Sequence, residues 1–221
     1  RPVDVQRPSV AKLGDLIVVL GDQLDLDASA FDCFDARVDV VWMAEVSAES
    51  NHVWSHKGRI ALFLAAMRHF RQELRARGLR VDYTELKGEA TLIGELRKAI
   101  AEHRPQRVIL VEPGEWRLRA EIEAVGPLVE IREDRHFLAT GSDFREHARG
   151  RKQLRMEYFY REMRKRYGVL MHEGKPTGGE WNYDEQNRGS FGKKGPGPMP
   201  SPIAFQPDKI TQQVLELVEK Q

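Results

Sequence analysis

The sequence predicts an α/β fold in which helices cover both faces of a five-stranded parallel sheet. The stretch 16–24 opens with a continuous apolar, β-branched run, which is typical of a strand buried on both faces. Further apolar runs alternate with amphipathic helical patterns as far as residue 131, and this alternation favours parallel strands joined by helices. The chain has 221 residues, 41% of them hydrophobic, which suffices for such a core.

The first half of the predicted sheet contains three strands and one long helix. Gly21 ends the first strand, residues 25–37 favour a short helix or a loop, and the second strand covers residues 38–43. Apolar residues then recur at helical spacing over residues 57–77, which predicts the strongest helix of the chain. Residues 79–83 alternate as a third strand would.

The second half of the predicted sheet repeats this alternation. Thr91 begins an amphipathic helix that ends before Pro105, and residues 107–111 form the fourth apolar strand. A helical pattern over residues 118–125 then leads into a fifth strand at residues 128–131. Right-handed crossovers between these strands give a Rossmann-like sheet.

The composition changes beyond the sheet and indicates the domain limits. Residues 1–14 are polar and are predicted to be a flexible arm before an α/β domain of residues 15–140. Residues 141–171 carry nine lysines and arginines against four acids and predict one basic amphipathic helix. Residues 172–206 are rich in glycine and proline, which is typical of a linker, and residues 207–221 again favour a helix.

Aromatic residues interleave with the cations of the predicted basic helix and allow two interpretations. Tyr158, Phe159, Tyr160 and Tyr167 would line a surface for phosphate backbones in a nucleic-acid-binding protein. We favour the other interpretation, in which the aromatics form the buried stripe of the helix and the cations its solvated side. Within the linker, the aromatic and polar cluster 181–188 indicates a specific packing or binding role.

The bulk composition excludes several classes of protein. The net charge of +1 excludes a strongly polyanion-binding chain overall but allows a local basic patch. A single cysteine, Cys33, excludes a disulfide framework, a cysteine-based zinc site and an iron–sulfur cluster within this chain. The sequence contains neither an apolar run long enough to span a bilayer nor a signal-peptide pattern. We therefore expect a soluble, cytoplasmic, monomeric protein with no membrane partner.

Polar side chains stand where the first two strands end. Asp22 and Gln23 follow Gly21 and offer an acceptor and an amide, which suit an amide-edged heterocycle or a ribityl or ribose hydroxyl. Glu45 follows the second strand and would lie at the same edge of the sheet, unless it is simply a solvated strand-end acid. The turn lacks the glycine pattern of a dinucleotide site, and no phosphate-binding Gly-Lys-Ser/Thr loop is present.

The connection before the long helix carries further polar candidates. Glu49, His52 and His56 are potential metal ligands, but no helix holds them at metal-binding spacing, so we predict no metal site. His56 and Lys57 at the helix start would instead face an anion or a ligand ring, or merely supply N-terminal polarity. We assign no catalytic residue, because no catalytic arrangement follows from spacing alone.

Four motifs, taken in order, carry a resemblance to a known family. They are the stretches 20–24, 56–59 together with 66–70, 155–164, and 178–188. In this combination the sequence resembles the deoxyribodipyrimidine photolyase-related proteins, which comprise the iron–sulfur bacterial cryptochromes and the prokaryotic (6-4) photolyases. The resemblance extends from about residue 16 to the end of the chain.

The resemblance implies an antenna function. In this family the amino-terminal α/β domain holds the antenna chromophore 6,7-dimethyl-8-ribityllumazine. The helical carboxyl-terminal half holds FAD, a four-cysteine 4Fe-4S cluster and the DNA-lesion pocket. That half is missing here, so we expect a fragment or truncated product that is inactive alone, with residues 207–221 as the start of the FAD-binding domain. Damaged DNA and the protein's own carboxyl-terminal helical domain are the partners implied for the full-length protein.

The resemblance also implies which residues line the chromophore pocket. Carried over by position, they are Gly21, Asp22, Gln23, Leu24, Glu45, His56, Lys57 and Ile60. Glu45 would hydrogen-bond the heterocycle or the ribityl chain, and the residues of the long helix would close the site. Ser55 stands where relatives often have a second histidine, so the loop before the helix differs in detail. No residue of such a light-harvesting domain need act as an acid, base or nucleophile.

Two other functions stay open from the sequence alone. An autonomous nucleotide-binding α/β enzyme, such as an adenylyl-transfer type, is one alternative, against which the missing phosphate loop counts. A nucleic-acid-binding module using the basic residues 155–166 is the other, and steep salt dependence of DNA binding would support it. The sequence does not distinguish DNA repair from blue-light sensing.

Overall fold

The computed structural model of the protein describes residues 14–48, 55–185 and 187–220. The main sheet consists of β1 (Leu16–Val18), β2 (Val40–Ala44), β3 (Val81–Thr84), β4 (Val108–Val111) and β5 (Val129–Arg132). The main helices are α1 (Lys57–Ala76), α2 (Leu92–His103), α3 (Trp116–Glu123), α4 (Gly141–Ala148), α5 (Met156–Tyr167) and α6 (Lys209–Glu219). A 3₁₀ turn (Ser29–Phe31) follows β1, and the short strands β6 (Met171–His172) and β7 (Lys175–Pro176) form a hairpin.

The five strands are all parallel and lie in the order β3-β2-β1-β4-β5. Strand β1 is therefore central, with Ile17 opposite Val41 on one side and Ile109 on the other. This arrangement confirms the predicted α/β class and the Rossmann-like sheet. The chain leaves β1 towards β2 and β3, then returns to the other side of β1 to form β4, so the strand order reverses between β1 and β4.

Each face of the sheet is buried under different elements. Leu16 and Val18 point into a core that includes α2 and α3. Ile17 and Val19 point into the opposite core, which includes α1 and the 3₁₀ turn. Because successive strand residues point to opposite faces, a strand covered on both sides needs apolar residues throughout, as the sequence has. The prediction of helices on both faces is confirmed.

Side-chain caps explain where two of the helices begin. The His56 ring nitrogen accepts a hydrogen bond from the Gly58 amide at 3.0 Å, and Thr91 caps α2 by accepting from the Gly94 amide at 3.1 Å. Helix α1 ends before Gly78, whose φ of +82° is the left-handed conformation that glycine adopts readily. The predicted bounds of α1 and α2 agree with the structure within one or two residues.

Helix α6 belongs to the unit that contains the sheet. That unit comprises the described residues up to His136 together with residues 207–220. Val214 and Val218 of α6 are buried against the face of α1 that points away from the sheet. Asp208 caps α6 and lies 2.6 Å from the His69 ring of α1. Within the described residues α6 therefore packs with the unit that contains the sheet, and the expectation that residues 207–221 begin a FAD-binding domain stays a prediction.

A second compact unit covers residues 137–206, so the predicted boundary at residue 140 lies slightly late. The single basic helix predicted over residues 141–171 is wrong, because the structure has two helices, α4 and α5, in that range. Gly150, in the left-handed conformation with φ of +72°, lies in the break between them. The predicted linker also begins with an ordered hairpin, turned by Glu173 and Gly174 at positive φ.

Two further predictions concern the amino-terminal arm and membrane-spanning segments. The arm of residues 1–14 lies outside the described residues except for Gly14, whose amide donates to the Val38 carbonyl at 2.9 Å. No helix within the described ranges combines the length and the apolar character needed to cross a membrane.

Candidate functional site

A cavity of about 280 Å³ opens at the carboxyl edge of the sheet. It lies where β1, β2 and β4 end, next to the point at which the strand order reverses. Open α/β sheets bind ligands at such a position, because the connections on either side of it diverge and leave a crevice. The lining residues are Val19, Leu20, Gly21, Asp22, Ala44, Glu45, Val46, Ser55, Arg59, Ile60, Phe63, Leu64, Met67, Leu92, Pro113, Gly114, Glu115 and Leu118.

The cavity has an apolar interior and polar groups towards solvent. Leu64 and Met67 of α1 are buried, as is Leu118 of α3. Asp22 and Glu115, by contrast, are exposed charged residues of the lining. This distribution suits a ligand with a flat apolar body and a polar end, which is the usual composition of a small-molecule site.

The close approach of the β1 turn to α1 depends on Gly21. A Cβ atom at this position would lie 2.9 Å from the sulfur of Met67, which is closer than van der Waals contact allows. Glycine therefore lets the turn pack directly on the helix and shape the cavity wall. The sequence prediction that Gly21 permits a close approach is consistent with this packing.

Glu45 is placed at the cavity, but its carboxylate is already engaged. Arg68 donates to both oxygens, at 2.7 and 2.9 Å. The Tyr83 hydroxyl donates at 2.6 Å and the Leu86 amide at 2.9 Å. A carboxylate has about four acceptor positions, and these four bonds occupy them. In this structure the Glu45 carboxylate thus joins β2, β3 and α1, and the expectation that Glu45 hydrogen-bonds a ligand stays a prediction.

Burial of this cluster accounts for its electrostatics. Glu45 is 1% and Arg68 7% exposed, so each charge depends on the other for compensation. The hydrogen bond to Glu45 raises the pKa of Arg68. Burial, together with donation to Glu45, raises the pKa of Tyr83 well above its ordinary value. The Tyr83 phenol is therefore neutral at neutral pH, and together with the Glu45–Arg68 salt bridge it forms part of the wall beside the cavity.

Two more predicted residues support the turn rather than line the cavity. The Gln23 amide nitrogen donates to the Glu112 carbonyl at 2.9 Å, which ties the ends of β1 and β4 together. Leu24 packs against the core on the α1 side of the sheet. Both residues contact the elements next to the cavity, and neither is among the lining residues.

The two predicted residues at the start of α1 also lie away from the cavity lining. His56 caps the helix through its ring nitrogen, and the Lys57 ammonium lies 3.9 Å from the Glu219 carboxylate. Ile60, one turn further along, does line the cavity. Of the eight predicted site residues, the structure thus brings together Gly21, Asp22, Glu45 and Ile60.

Sequence reasoning missed the contributions of α1 and of the connection after β4. Phe63, Leu64 and Met67 follow Ile60 at helical spacing and could have been identified from the same apolar stripe. Pro113 and Glu115 follow a buried strand, as Asp22 follows β1, and this signal was available in the sequence.

The polar part of the described lining consists of carboxylates, one serine and one arginine. None of the described lining residues is histidine, cysteine or lysine. No group of three or more potential metal ligands occurs among the described residues. Of the three metal ligands considered from the sequence, Glu49 and His52 lie outside the described residues.

Comparison with known proteins identifies the family. The family model described as "Deoxyribodipyrimidine photo-lyase-related protein" matches residues 17–221. The chain belongs to this family. All four motifs that indicated the deoxyribodipyrimidine photolyase-related proteins fall within the matched range, so the resemblance stated from the sequence is confirmed.

Two relatives of this photolyase-related chain have been curated. The (6-4) photolyase of Agrobacterium fabrum is 43% identical over 215 residues, which are 94% of this chain but 42% of the photolyase. An uncharacterized protein of Acanthamoeba polyphaga mimivirus is 25% identical over 138 residues, covering 59% of this chain and 69% of that protein. The chain thus spans less than half the length of the curated photolyase it matches.

Proposed function

We propose that this chain is the antenna portion of a photolyase- or cryptochrome-like flavoprotein, and that the cavity at the reversal of the sheet binds 6,7-dimethyl-8-ribityllumazine. The observation that carries the proposal is the cavity itself, with its apolar interior and its polar groups towards solvent. Membership of the photolyase-related family and 43% identity to a (6-4) photolyase support a light-dependent role.

The residues present fit a lumazine. The cavity of about 280 Å³ lies just below the usual range for small-molecule sites, roughly 300–1,000 Å³. That volume suits one bicyclic ring with a short polar chain and is small for a dinucleotide. The ribityl hydroxyls need donors and acceptors, and charged lining residues supply both.

Each part of the lining then has a role. Ile60, Phe63 and Leu64 would hold the ring faces by dispersion and exclude water from them. Asp22 would accept from the ribityl hydroxyls, and Arg59 would donate to a carbonyl of the heterocycle or to the polyol. When bound, the lumazine would absorb near-ultraviolet to blue light and pass the energy to a flavin. This chain would fix the orientation of the ring and would transfer no proton.

The flavin chemistry would lie in sequence beyond this chain. We propose that FAD and a 4Fe-4S cluster are held there, because Cys33 is the single cysteine of this sequence and a cluster needs four thiolates. The full-length protein would then use light to repair pyrimidine photolesions in DNA, as the name of the Agrobacterium relative suggests, or to sense blue light.

A fluorescence titration of the purified chain with 6,7-dimethyl-8-ribityllumazine tests the proposal. We expect saturable binding in the micromolar range or tighter, and much weaker binding of ATP. Phe63→Ala should weaken lumazine binding by about 1–2 kcal/mol, because the ring loses apolar contact. Leu62→Ala is the matched control, since Leu62 is the neighbouring residue on α1, is 68% exposed and does not line the cavity.

Either of two results would contradict the antenna proposal. Absence of lumazine binding to the folded chain would show that the cavity is not a chromophore-binding site. Binding of ATP at least as tight as binding of lumazine would favour the autonomous nucleotide-binding enzyme instead.

A further inference from the structure

Two residues of α1 contact both the cavity at the carboxyl edge of the sheet and helix α6. Ile60 and Leu64, one turn apart on α1, line that cavity. Leu64 also belongs to the apolar cluster that contains Val214 and Val218 of α6, and Ile60 packs against the same cluster. The wall of the cavity and the surface that receives α6 are therefore two sides of one packed layer.

Helix α6 contacts α1 near both of its ends. Near the start of α6, the Asp208 carboxylate lies 2.6 Å from Nε2 of His69. Near the end of α6, the Glu219 carboxylate lies 3.9 Å from the ammonium group of Lys57, the first residue of α1. The two helices therefore run antiparallel, and the apolar cluster lies between these polar contacts.

The polar contact at His69 uses both ring nitrogens. Nδ1 lies 2.7 Å from the Ala65 carbonyl, and Nε2 faces the Asp208 carboxylate. A carbonyl and a carboxylate only accept hydrogen bonds, so both nitrogens donate and the ring is protonated. The side chains of His69 and Asp208 are 42% and 55% exposed, and such exposed pairs contribute little to stability. The apolar cluster therefore supplies most of the energy that holds α6 on α1.

Val214 is the residue of α6 through which the cavity wall is most sensitive to α6. Its side chain is fully buried, and Leu64 is 6% exposed. Because protein interiors are close-packed, removing methyl groups at position 214 leaves space beside Leu64 on the side away from the cavity. Leu64 can then move away from a ligand in the cavity, and the wall becomes less ordered.

We propose that α6 orders the wall of the chromophore cavity, and that Val214 is a positioning residue that acts through Leu64. With α6 in place, Ile60 and Leu64 are fixed against the ligand. A ligand that binds the ordered wall must in turn favour the packed position of α6, because coupling between two binding events is reciprocal. The identity of the ligand rests on the proposed function, whereas the coupling of α6 to the wall does not.

Lumazine titration of Val214→Ala tests the inference. We expect its Kd for 6,7-dimethyl-8-ribityllumazine to rise by about 5-fold or more, with the circular dichroism spectrum unchanged. Leu215→Ala is the matched control, because Leu215 is the next residue of α6, is 42% exposed and lies outside the apolar cluster. Its Kd should equal that of the unaltered chain.

The unit of residues 137–206 supplies a second control. Tyr158, Tyr160 and Tyr167 of α5 are exposed, so the buried aromatic stripe predicted for this helix is wrong for its tyrosines. Tyr158→Ala alters a solvent-facing ring in the unit that does not contain the sheet, and it should leave the affinity for lumazine unchanged.

Hydrogen exchange of the α6 amides gives a reciprocal measurement that a merely structural role would not change. Saturating lumazine should slow exchange in α6 of the unaltered chain and should leave exchange in residues 137–206 as it was. This measurement needs no substitution, so it tests the inference even if Val214→Ala does not fold.

Methyl NMR tests the wall without any ligand. Met67 and Leu118 line the cavity but are not part of the apolar cluster around α6. Val214→Ala, or Val218→Ala at the other buried position of α6, should shift their methyl resonances, and Leu215→Ala should not. Shifted resonances in a chain that binds no lumazine would contradict the antenna proposal and support the coupling of α6 to the wall.

Three results would overturn the inference. The first is equal lumazine affinity of folded Val214→Ala and Leu215→Ala. The second is unchanged exchange of the α6 amides at saturating lumazine. The third is unchanged methyl resonances of Met67 and Leu118 in both valine variants.

Discussion

Replacing Arg68 by methionine should destabilise the sheet-containing unit strongly. The Glu45 carboxylate, 1% exposed, would lose two charge-assisted hydrogen bonds of 2.7 and 2.9 Å and would keep the Tyr83 hydroxyl and the Leu86 amide as its donors. Removing one partner of a buried ion pair costs about 3–5 kcal/mol, because an uncompensated charge stays in the interior. For a chain of this size the Tm should fall by roughly 6–20 °C.

Urea and thermal unfolding at neutral pH, followed by circular dichroism, measure this effect. Arg77→Met is a suitable control, because Arg77 follows the last residue of the same helix and pairs at 2.9 Å with Glu73, with both side chains about half exposed. Such a partly exposed pair contributes about 0–1 kcal/mol. The double variant Glu45→Gln with Arg68→Met should regain part of the lost stability, since a neutral amide leaves no buried charge.

The reasoning is refuted if Arg68→Met is no more destabilising than Arg77→Met. The Glu45–Arg68 ion pair would then add little to the stability of the fold. An Arg68→Met variant that is destabilised but not improved by Glu45→Gln would show that lost packing, not lost charge compensation, is the cause.

Three smaller perturbations follow from other contacts. The Asp208 carboxylate and the Ala65 carbonyl raise the pKa of His69, so the stability that this histidine adds is complete below about pH 6.5 and is lost as the pH rises through the raised pKa. Unfolding curves of His69→Gln should lack this pH dependence, and an unchanged pH dependence would contradict the assignment. Gly21→Ala should cost up to about 1 kcal/mol in urea unfolding and weaken lumazine binding, because its Cβ displaces the flexible Met67 side chain; unaltered binding would exclude that contact from the cavity wall. Gly178→Ala should destabilise the unit of residues 137–206 in thermal unfolding without changing lumazine affinity, because Gly178 has a φ of +84°; a loss of lumazine affinity as well would indicate general unfolding.

The sheet was predictable because its signals are local. A strand covered on both faces needs an unbroken apolar run, and the run beginning at Leu16 has this pattern before any partner strand is known. The same holds for the apolar stripe of α1 and for its end before Gly78. The sequence does not predict the break between α4 and α5, because the cationic residues on both sides of Gly150 suggest one continuous basic helix.

The site was predictable only in part, because its contacts join distant segments. The strand-end position of Glu45 is visible in the sequence, whereas its pairing with Arg68 depends on how α1 packs across the sheet. A ligand contact and an internal ion pair therefore look identical at the sequence level. The same limit applies to Trp181, because the three cations beside its ring lie on α5, which precedes Trp181 in the chain; they are Arg161, Arg164 and Lys165.

The central position of β1 has a consequence for the order of folding. Leu16 pairs with Val40 on one side but with Val108 on the other, so the second pairing must wait until β2, α1, β3 and α2 have been made. Closing that long loop is entropically costly and makes such pairings late events. Because the cavity lies where β1, β2 and β4 end, it is completed only when this last pairing forms. We therefore expect a ribosome-bound chain that ends before Pro113 to have no chromophore site, so that chromophore binding follows synthesis of β4 and of the connection after it.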